Sequence, residues 1–480
     1  MIQITTGDMM HVHGGFGEKT DYTVRNTVRM ADAVDGTILA AALEKTQKRF
    51  PYLCVRIRRG ENAFYYEENP LPVVLLHREG RVVLNSDEVN WHVWAVSYYE
   101  DYIHLDCYHG ITDGTGMYKV LSTLLYYYCA ERYGAAMDKG ILAVTDPIMP
   151  EETIDPQDAL PDIDLSKITM APMAPAFTLE TDGRLTPSEA SIWDVAIPQD
   201  EFMRFVEDND STPGTMISVL FARAIHLLYQ EKESTADPAA AEPAQAGEAG
   251  ETSPKPADAS RSADLSNSDH APKPADPLNS AAPAGNAVRI NGKDIISVYV
   301  INARPMLGAG NILHNCLGMA IFDYEDRIAK MPLMRQCTIY RGKTFAQSFD
   351  ETIRNSTTVS ANMIREALKS APTLDAKKEI FGRSFASGEG FVSYLVSYIG
   401  KWQYPIIGGY IREFWTHPPN TFSLMVEISA AGENIFLAIQ QRFKEDCVRE
   451  AFLQELKEYG IPFRVCRVMD SDVAHMPEPA

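Results

Sequence analysis

Between Glu233 and Asn286 the chain is almost wholly Ala, Pro, Ser, Gly, Asp and Glu, with scarcely an aliphatic or aromatic side chain. A stretch of that composition buries too little apolar surface to offset the entropy of ordering it, so it is expected to stay disordered. Its flanks say what it interrupts. Residues 212–230 (TPGTMISVLFARAIHLLYQ) read as an apolar helix, and Ile295–Ile301 as a strand of branched and aromatic residues. Residues 233–287 are therefore read as an insertion in a helix-to-strand connection, not a border between domains. A partner-binding tail is the functional alternative.

At 480 residues the chain exceeds one ordinary core, and two domains are expected. The 65 acidic side chains outnumber the 44 Lys and Arg, for a net charge of −21. That balance excludes a general nucleic-acid binder, which needs clustered cations, and argues against residence on an anionic membrane. The seven cysteines are scattered with no CxxC pair, so neither a zinc ribbon nor a disulfide framework is expected. They read as small buried hydrophobes in a reducing compartment. The start, MIQITTGDMMHVHGGFGEK, lacks a basic segment followed by an apolar one, so no signal peptide is expected. No apolar run reaches the length of a membrane span. A cytoplasmic protein is the expectation.

Elsewhere helices and strands alternate. Residues 36–49 repeat apolar side chains at helical spacing and end at Phe50-Pro51. Short strands are expected near 53–58, 63–66 and 72–76, then a hairpin of 91–99 and 102–109 about Glu100-Asp101. A helix follows over 115–132, and a Pro- and Asp-rich connector over 145–190. The second half is expected to hold a helix at 213–231, strands near 295–301, 390–399 and 422–428, and a closing strand, helix and strand. This pattern favours an α/β fold with mixed sheets over a purely parallel, doubly wound one.

The densest group of reactive side chains is His104-Leu105-Asp106-Cys107-Tyr108-His109-Gly110-Ile111-Thr112-Asp113-Gly114. Strand alternation puts Ile103, Leu105 and Cys107 on one face and His104, Asp106 and Tyr108 on the other, with His109 falling on the apolar side. A histidine where a strand meets a Gly-rich turn is suited to proton abstraction near neutral pH, though a lone His there is more often structural. His104, Asp106, His109 and Asp113 all have metal-ligand chemistry, but alternation sends His104 and His109 to opposite faces. No metal is expected.

His109-Gly110-Ile111-Thr112-Asp113-Gly114 resembles the HxxxDG signature of an acyltransferase superfamily. It includes chloramphenicol acetyltransferase, non-ribosomal-peptide condensation domains, plant BAHD enzymes and alcohol acyltransferases. Further pieces resemble the superfamily in order: Arg49-Phe50-Pro51-Tyr52-Leu53, Thr212-Pro213-Gly214-Thr215, Val300-Ile301-Asn302-Ala303-Arg304-Pro305 and Ser397-Tyr398-Ile399-Gly400. The doubled His of condensation domains is Tyr108-His109 here and the plant DFGWG motif is absent, which favours the alcohol-acyltransferase-like branch. The resemblance implies two chloramphenicol-acetyltransferase-like lobes with mixed sheets, a pseudo-dimer with a tunnel between them. Residues 1–185 would form the first lobe and 186–480 the second, interrupted by the insertion.

The resemblance implies an acyl group moved from a thioester, acyl-CoA as co-substrate, to a hydroxyl or amine of a small acceptor. His109 would be the general base, with no protein nucleophile and no bound cofactor. Asp113 is expected to point away and clamp Arg304, with direct catalysis as the alternative. Gly110 and Gly114 would allow tight backbone near the substrate, or serve as plain turn glycines. Ser397, Tyr398 or a backbone N–H near Gly114 would face the oxyanion, and the sequence does not choose among them. Met117, Leu121, Leu124 and Leu125 read as core rather than acyl pocket. Arg341-Gly342-Lys343, or Lys377-Lys378 with Arg383, are thin choices for the coenzyme phosphates and read first as solvated surface. The alternatives are a condensation-type enzyme fed by an acyl carrier protein, and a silent fold relative that binds without turnover. A monomer is expected.

Overall fold

In a computed structural model, residues 2, 4, 6–14, 22–155, 157–169, 176–179, 183–234, 289–290, 293–308, 310–389, 391–419 and 421–470 are described. The expected insertion at 233–287 lies outside them apart from its first two residues, which belong to a helix.

The first half runs α1 (Thr6–Gly14), β1 (Thr23–Met30), α2 (Gly36–Arg49), a hairpin of β2 (Val55–Arg59) and β3 (Phe64–Glu68), and β4 (Leu75–His77). It continues with β5 (Trp94–Tyr99), β6 (Tyr102–Tyr108) and α3 (Gly114–Tyr133). The second half begins with β7 (Pro187–Pro198), α4 (Gln199–Asp208), α5 (Pro213–Ser234), β8 (Arg289–Ile290) and β9 (Lys293–Asp294). Then come β10 (Ile296–Asn302), α6 (Arg304–Leu307), β11 (Leu317–Asp323), α7 (Asp326–Ala329), α8 (Leu333–Gln347), α9 (Asp350–Ser370) and α10 (Leu374–Glu389). It closes with β12 (Tyr394–Lys401), α11 (Pro405–Gly408), β13 (Ile411–His417), β14 (Leu424–Ala431), β15 (Asn434–Phe443), α12 (Cys447–Glu458) and β16 (Arg464–Asp470).

Local chemistry explains the best-defined ends. The Asp35 carboxylate accepts from the Thr37 and Ile38 amides at 2.9 and 3.1 Å, capping α2. Gly134, at φ +70°, ends α3 in the left-handed region that glycine tolerates.

Both sheets are mixed. A five-stranded sheet has the order β13-β1-β6-β5-β4, with only β4 and β5 parallel. A seven-stranded sheet has the order β11-β10-β12-β14-β15-β7-β16, with β10, β12 and β14 parallel. Leu39 and Leu43 of α2, with Met117, Leu121, Leu124 and Leu125 of α3, pack on Val24, Val96 and Leu105 to form one core. Leu220 and Phe221 of α5 and Phe452 of α12 pack on Val195, Val426 and Ile439 to form the other.

The lobes share chain. β13 comes from the second half but is the outer strand of the first sheet, antiparallel to β1 with Arg25 opposite His417. Side chains tie the same seam: His417 Nε2 meets Asp194 of β7 at 3.0 Å, and Arg467 of β16 reaches that carboxylate at 2.7 Å. On β1 and β6 the buried Arg25 and Asp106 pair through two bonds of 2.8 and 2.7 Å.

Because Asp106 is fully buried, Asp106→Ala leaves the Arg25 charge without its counter-ion. We expect a loss of about 3–5 kcal/mol in urea unfolding, against little change for Glu44→Ala in an exposed pair.

Candidate active site

β6 delivers the motif. Ile103, Leu105 and Cys107 enter the first core, while His104 turns to the other face and bonds Thr27 Oγ1 at 2.9 Å. Burial, with Arg25, His417 and Arg467 nearby, holds the His104 imidazole well below its usual pKa. The chain then turns over 109–112, with the Ile111 amide on the Tyr108 carbonyl at 3.2 Å. A Cβ on Gly110 would come within 2.3 Å of the Tyr108 ring, so the turn closes only with glycine there.

Asp113 is the N-cap of α3. Its Oδ1 accepts from the Thr115 and Gly116 amides at 3.1 Å each, and its Oδ2 from the Cys316 amide at 3.0 Å. Arg304, the first residue of α6, adds two parallel bonds of 2.8 Å to the same carboxylate. Its remaining donors go to the Ile312 and His314 carbonyls at 2.8 Å and to Asn302 Oδ1 at 3.4 Å. Both side chains are about 1–2% exposed. Among the described residues the Asp113 carboxylate bonds only within this frame and not to His109.

His109 is held differently. Its amide donates to the Tyr22 carbonyl at 2.9 Å, and its carbonyl accepts from Asn315 Nδ2 at 2.8 Å. The half-buried ring stacks on His11 of α1 at 5.4 Å and 15°, with Tyr22 tilted against it at 5.5 Å. Its Nδ1 lies in the interior without a hydrogen-bond partner among the described residues. Ring packing therefore sets its orientation. His11 bonds Tyr22 Oη through Nδ1 at 2.7 Å, and burial beside His109 lowers its pKa to about 3, so it is neutral.

α1 is fixed to the motif from two directions. Tyr108 donates to the His11 carbonyl at 2.9 Å. Asp8 takes His314 Nδ1 and Asn315 Nδ2, each at 2.8 Å, so Asn315 bridges Asp8 and His109. Burial works against a charged His314, but the Asp8 carboxylate outweighs it and lifts the imidazole to about 9. Burial also opposes the Asp8 charge, yet His314 holds its pKa below 3.8. Sequence reading passed over His11, Asp8 and Asn315; the close pair His11 and His13 was the one available signal.

The remaining candidates separate. A Cβ on Gly114 would sit 3.4 Å from the Ile399 side chain, so the end of β12 abuts the start of α3. Tyr398 packs against the second core, and a register shift between Tyr398 and Gly400 leaves Ile399 unpaired at the end of the strand. Ser397 lies opposite Glu427 in register and bonds it; burial pushes that carboxyl to about 8. Arg341 is paired with Asp210 at 2.6 Å, Lys343 lies 3.9 Å from Glu325, and Lys377 donates to the Asn62 carbonyl at 2.5 Å. The Arg383 side chain lies outside the described residues. Among the described residues no three His, Cys, Asp or Glu come together as a metal site, and no helix is long and apolar enough to cross a membrane. A cavity of about 1500 Å³ borders the motif turn at Ile111 and Leu313.

Two outcomes follow from this geometry. Asp113→Ala should destabilise by about 3–5 kcal/mol in denaturant unfolding, because Arg304 is left buried and uncompensated. The Asp8–His314 pair should stabilise the fold fully up to about pH 6.5, the ordinary imidazole value, and fade as pH rises through about 9. It should also fade below pH 3.8 as Asp8 protonates. Thermal melts of the protein and of Asp8→Asn should therefore differ most between about pH 4 and 6.5 and converge above 9.

No family model matches the chain, and no curated protein matches it in sequence. Solved structures match it in shape. Against TRI101 of F. sporotrichioides complexed with coenzyme A and T-2, the TM-score is 0.54 at 11% identity, covering 93% of this chain and 97% of that one. Against the TRI3 trichothecene 15-O-acetyltransferase from Fusarium sporotrichioides it is 0.55 at 9% identity, covering 94% and 93%. Against polyketide synthase associated protein 5 from Mycobacterium tuberculosis it is 0.53 at 10%, covering 95% and 96%. At such identities the likeness is one of fold. The chain has the mixed α/β, two-lobed chloramphenicol-acetyltransferase-like architecture that the HxxxDG resemblance implies.

Proposed function

We propose that this chain is an acyltransferase that carries an acyl group from a thioester, acyl-CoA, to a hydroxyl or amine of a small acceptor. The observation that carries the reading is His109. It stands at a strand end with its backbone pinned on both sides and its ring held between His11 and Tyr22, with no carboxylate partner among the described residues. The fold adds support, since a structure of the same architecture was solved with coenzyme A and T-2.

In this reading the substrates meet at His109 between the lobes, which supplies proximity. His109 takes the acceptor's O–H or N–H proton as that atom bonds to the thioester carbonyl carbon. The tetrahedral intermediate then collapses, the C–S bond breaks, and the thiolate receives the proton. Ser397, Tyr398 or a backbone N–H near Gly114 would donate to the oxyanion. Asp113 and Arg304 hold the turn and touch neither substrate. Gly110 and Gly114 let the backbone close around it.

His109→Ala should lower acceptor-dependent thiol release from acyl-CoA by about 10²–10⁴-fold with an unchanged melting temperature. Activity equal to that of the unaltered protein would sink the mechanism.

A further inference from the structure

The cavity of about 1500 Å³ is walled by α2, the β2–β3 hairpin and the segment that begins at Ile148. It touches the motif turn at Ile111, and His109 is not among its lining residues. Ile111, two residues after His109, and Leu313, whose carbonyl accepts from Thr112 Oγ1 at 2.5 Å, both line it. Tyr66 lines it too and donates to the Gly110 carbonyl at 2.8 Å. The space exceeds the roughly 300–1,000 Å³ that holds a drug-sized ligand.

Its apolar wall includes Leu43, Leu53, Val55 and Val73. Charged Glu44, Lys48 and Glu68 stand exposed along it, while its more buried polar groups are bonded within the protein. Glu152 takes both Arg49 nitrogens at 2.9 Å and the Tyr52 hydroxyl at 2.5 Å. Gln47 gives Nε2 to the Leu71 carbonyl and takes the Val73 amide on Oε1. Asn69 donates to the Asn90 carbonyl, and His314 is bound to Asp8. Where the buried polar groups of a wall are satisfied from within, that part of it recognises a ligand by apolar area rather than by hydrogen bonds. An acetyl group alone would leave nearly all of it empty.

We propose that this cavity binds a long unbranched hydrocarbon chain, carried by the acyl thioester or by the acceptor, with the chain's reacting end at the motif turn. The proposal rests on the acyltransferase reading only for the word substrate; chain binding stands apart from turnover.

Two measurements test it. The first is displacement of a bound fluorescent polyene fatty acid by dodecanoic acid and by 1-dodecanol, in the full chain and in Ala40→Trp. Ala40 is exposed on α2 and lines the cavity, so a Trp there narrows the mouth without entering the core. Saturable binding that Ala40→Trp weakens at least tenfold, with an unchanged melting temperature, supports the cavity as a chain site. The second is kcat/KM across acyl-CoA donors from two to twelve carbons with a short alcohol, and across alcohols of the same lengths with acetyl-CoA. One series should rise about fourfold per methylene, and whichever rises identifies the molecule that carries the chain. Saturable binding without turnover in either series would leave the chain site standing and remove the acyltransferase reading. His109-dependent turnover that is flat in both series, with no saturable fatty-acid binding, would overturn the chain site and leave the acyltransferase reading intact.

Discussion

The Asp113–Arg304 pair is the constraint on which the site is built. Two charges at about 1–2% exposure are costly to remove from water, and such a pair persists only where nearly every donor and acceptor is matched. Here they are. The carboxylate caps α3, receives the Cys316 amide and takes both terminal nitrogens of Arg304, while Arg304 also gathers the Ile312 and His314 carbonyls. The start of α3, the start of α6 and the residue just before β11 therefore meet at one ion pair. It joins the first lobe to the second, and the turn that bears His109 lies directly before it.

That arrangement divides the labour of the motif. In a Ser-His-Asp constellation the carboxylate orients the histidine. Here the carboxylate is wholly engaged in the frame, and the histidine is oriented by rings. His11 and Tyr22 bracket it, and α1, which brings His11, is held by Asp8 on His314 and Asn315. The Nδ1 of His109 has no hydrogen-bond partner among the described residues, which is compatible with the proposed role of a base that gains and loses a proton within a cycle.

Much of the fold was legible because its signals are local. The periodicity of 36–49 matches α2 from Gly36 to Arg49, and Glu100-Asp101 does separate two paired strands, β5 and β6. Alternation along β6 turned His104 away from Ile103, Leu105 and Cys107, as expected from a period of two, while His109 lies past the strand in the turn. The charged and polar helices α9 and α10 carried weaker patterns and went unread, as did β1, whose TVRNTVRM mixes charge into a buried strand. Its Arg25 is buried because Asp106 waits on the neighbouring strand, a fact no window of a few residues contains.

The sequence by itself determined that a histidine would end a strand, that a Gly-rich turn and a helix would follow, and that strands and helices would mix in both halves. Periodicity, capping and turn chemistry act over a few residues, so they are written in the chain. The pairing of Asp113 with Arg304 was legible only through the motif resemblance, not through spacing. Tertiary structure alone decided that β13 would return to complete the first sheet, that His11 would stack on His109, and that Tyr398 would pack against the second core. Each of those joins residues far apart in the chain. Such contacts depend on which surfaces remain unburied after the local elements form, and only the folded packing settles that.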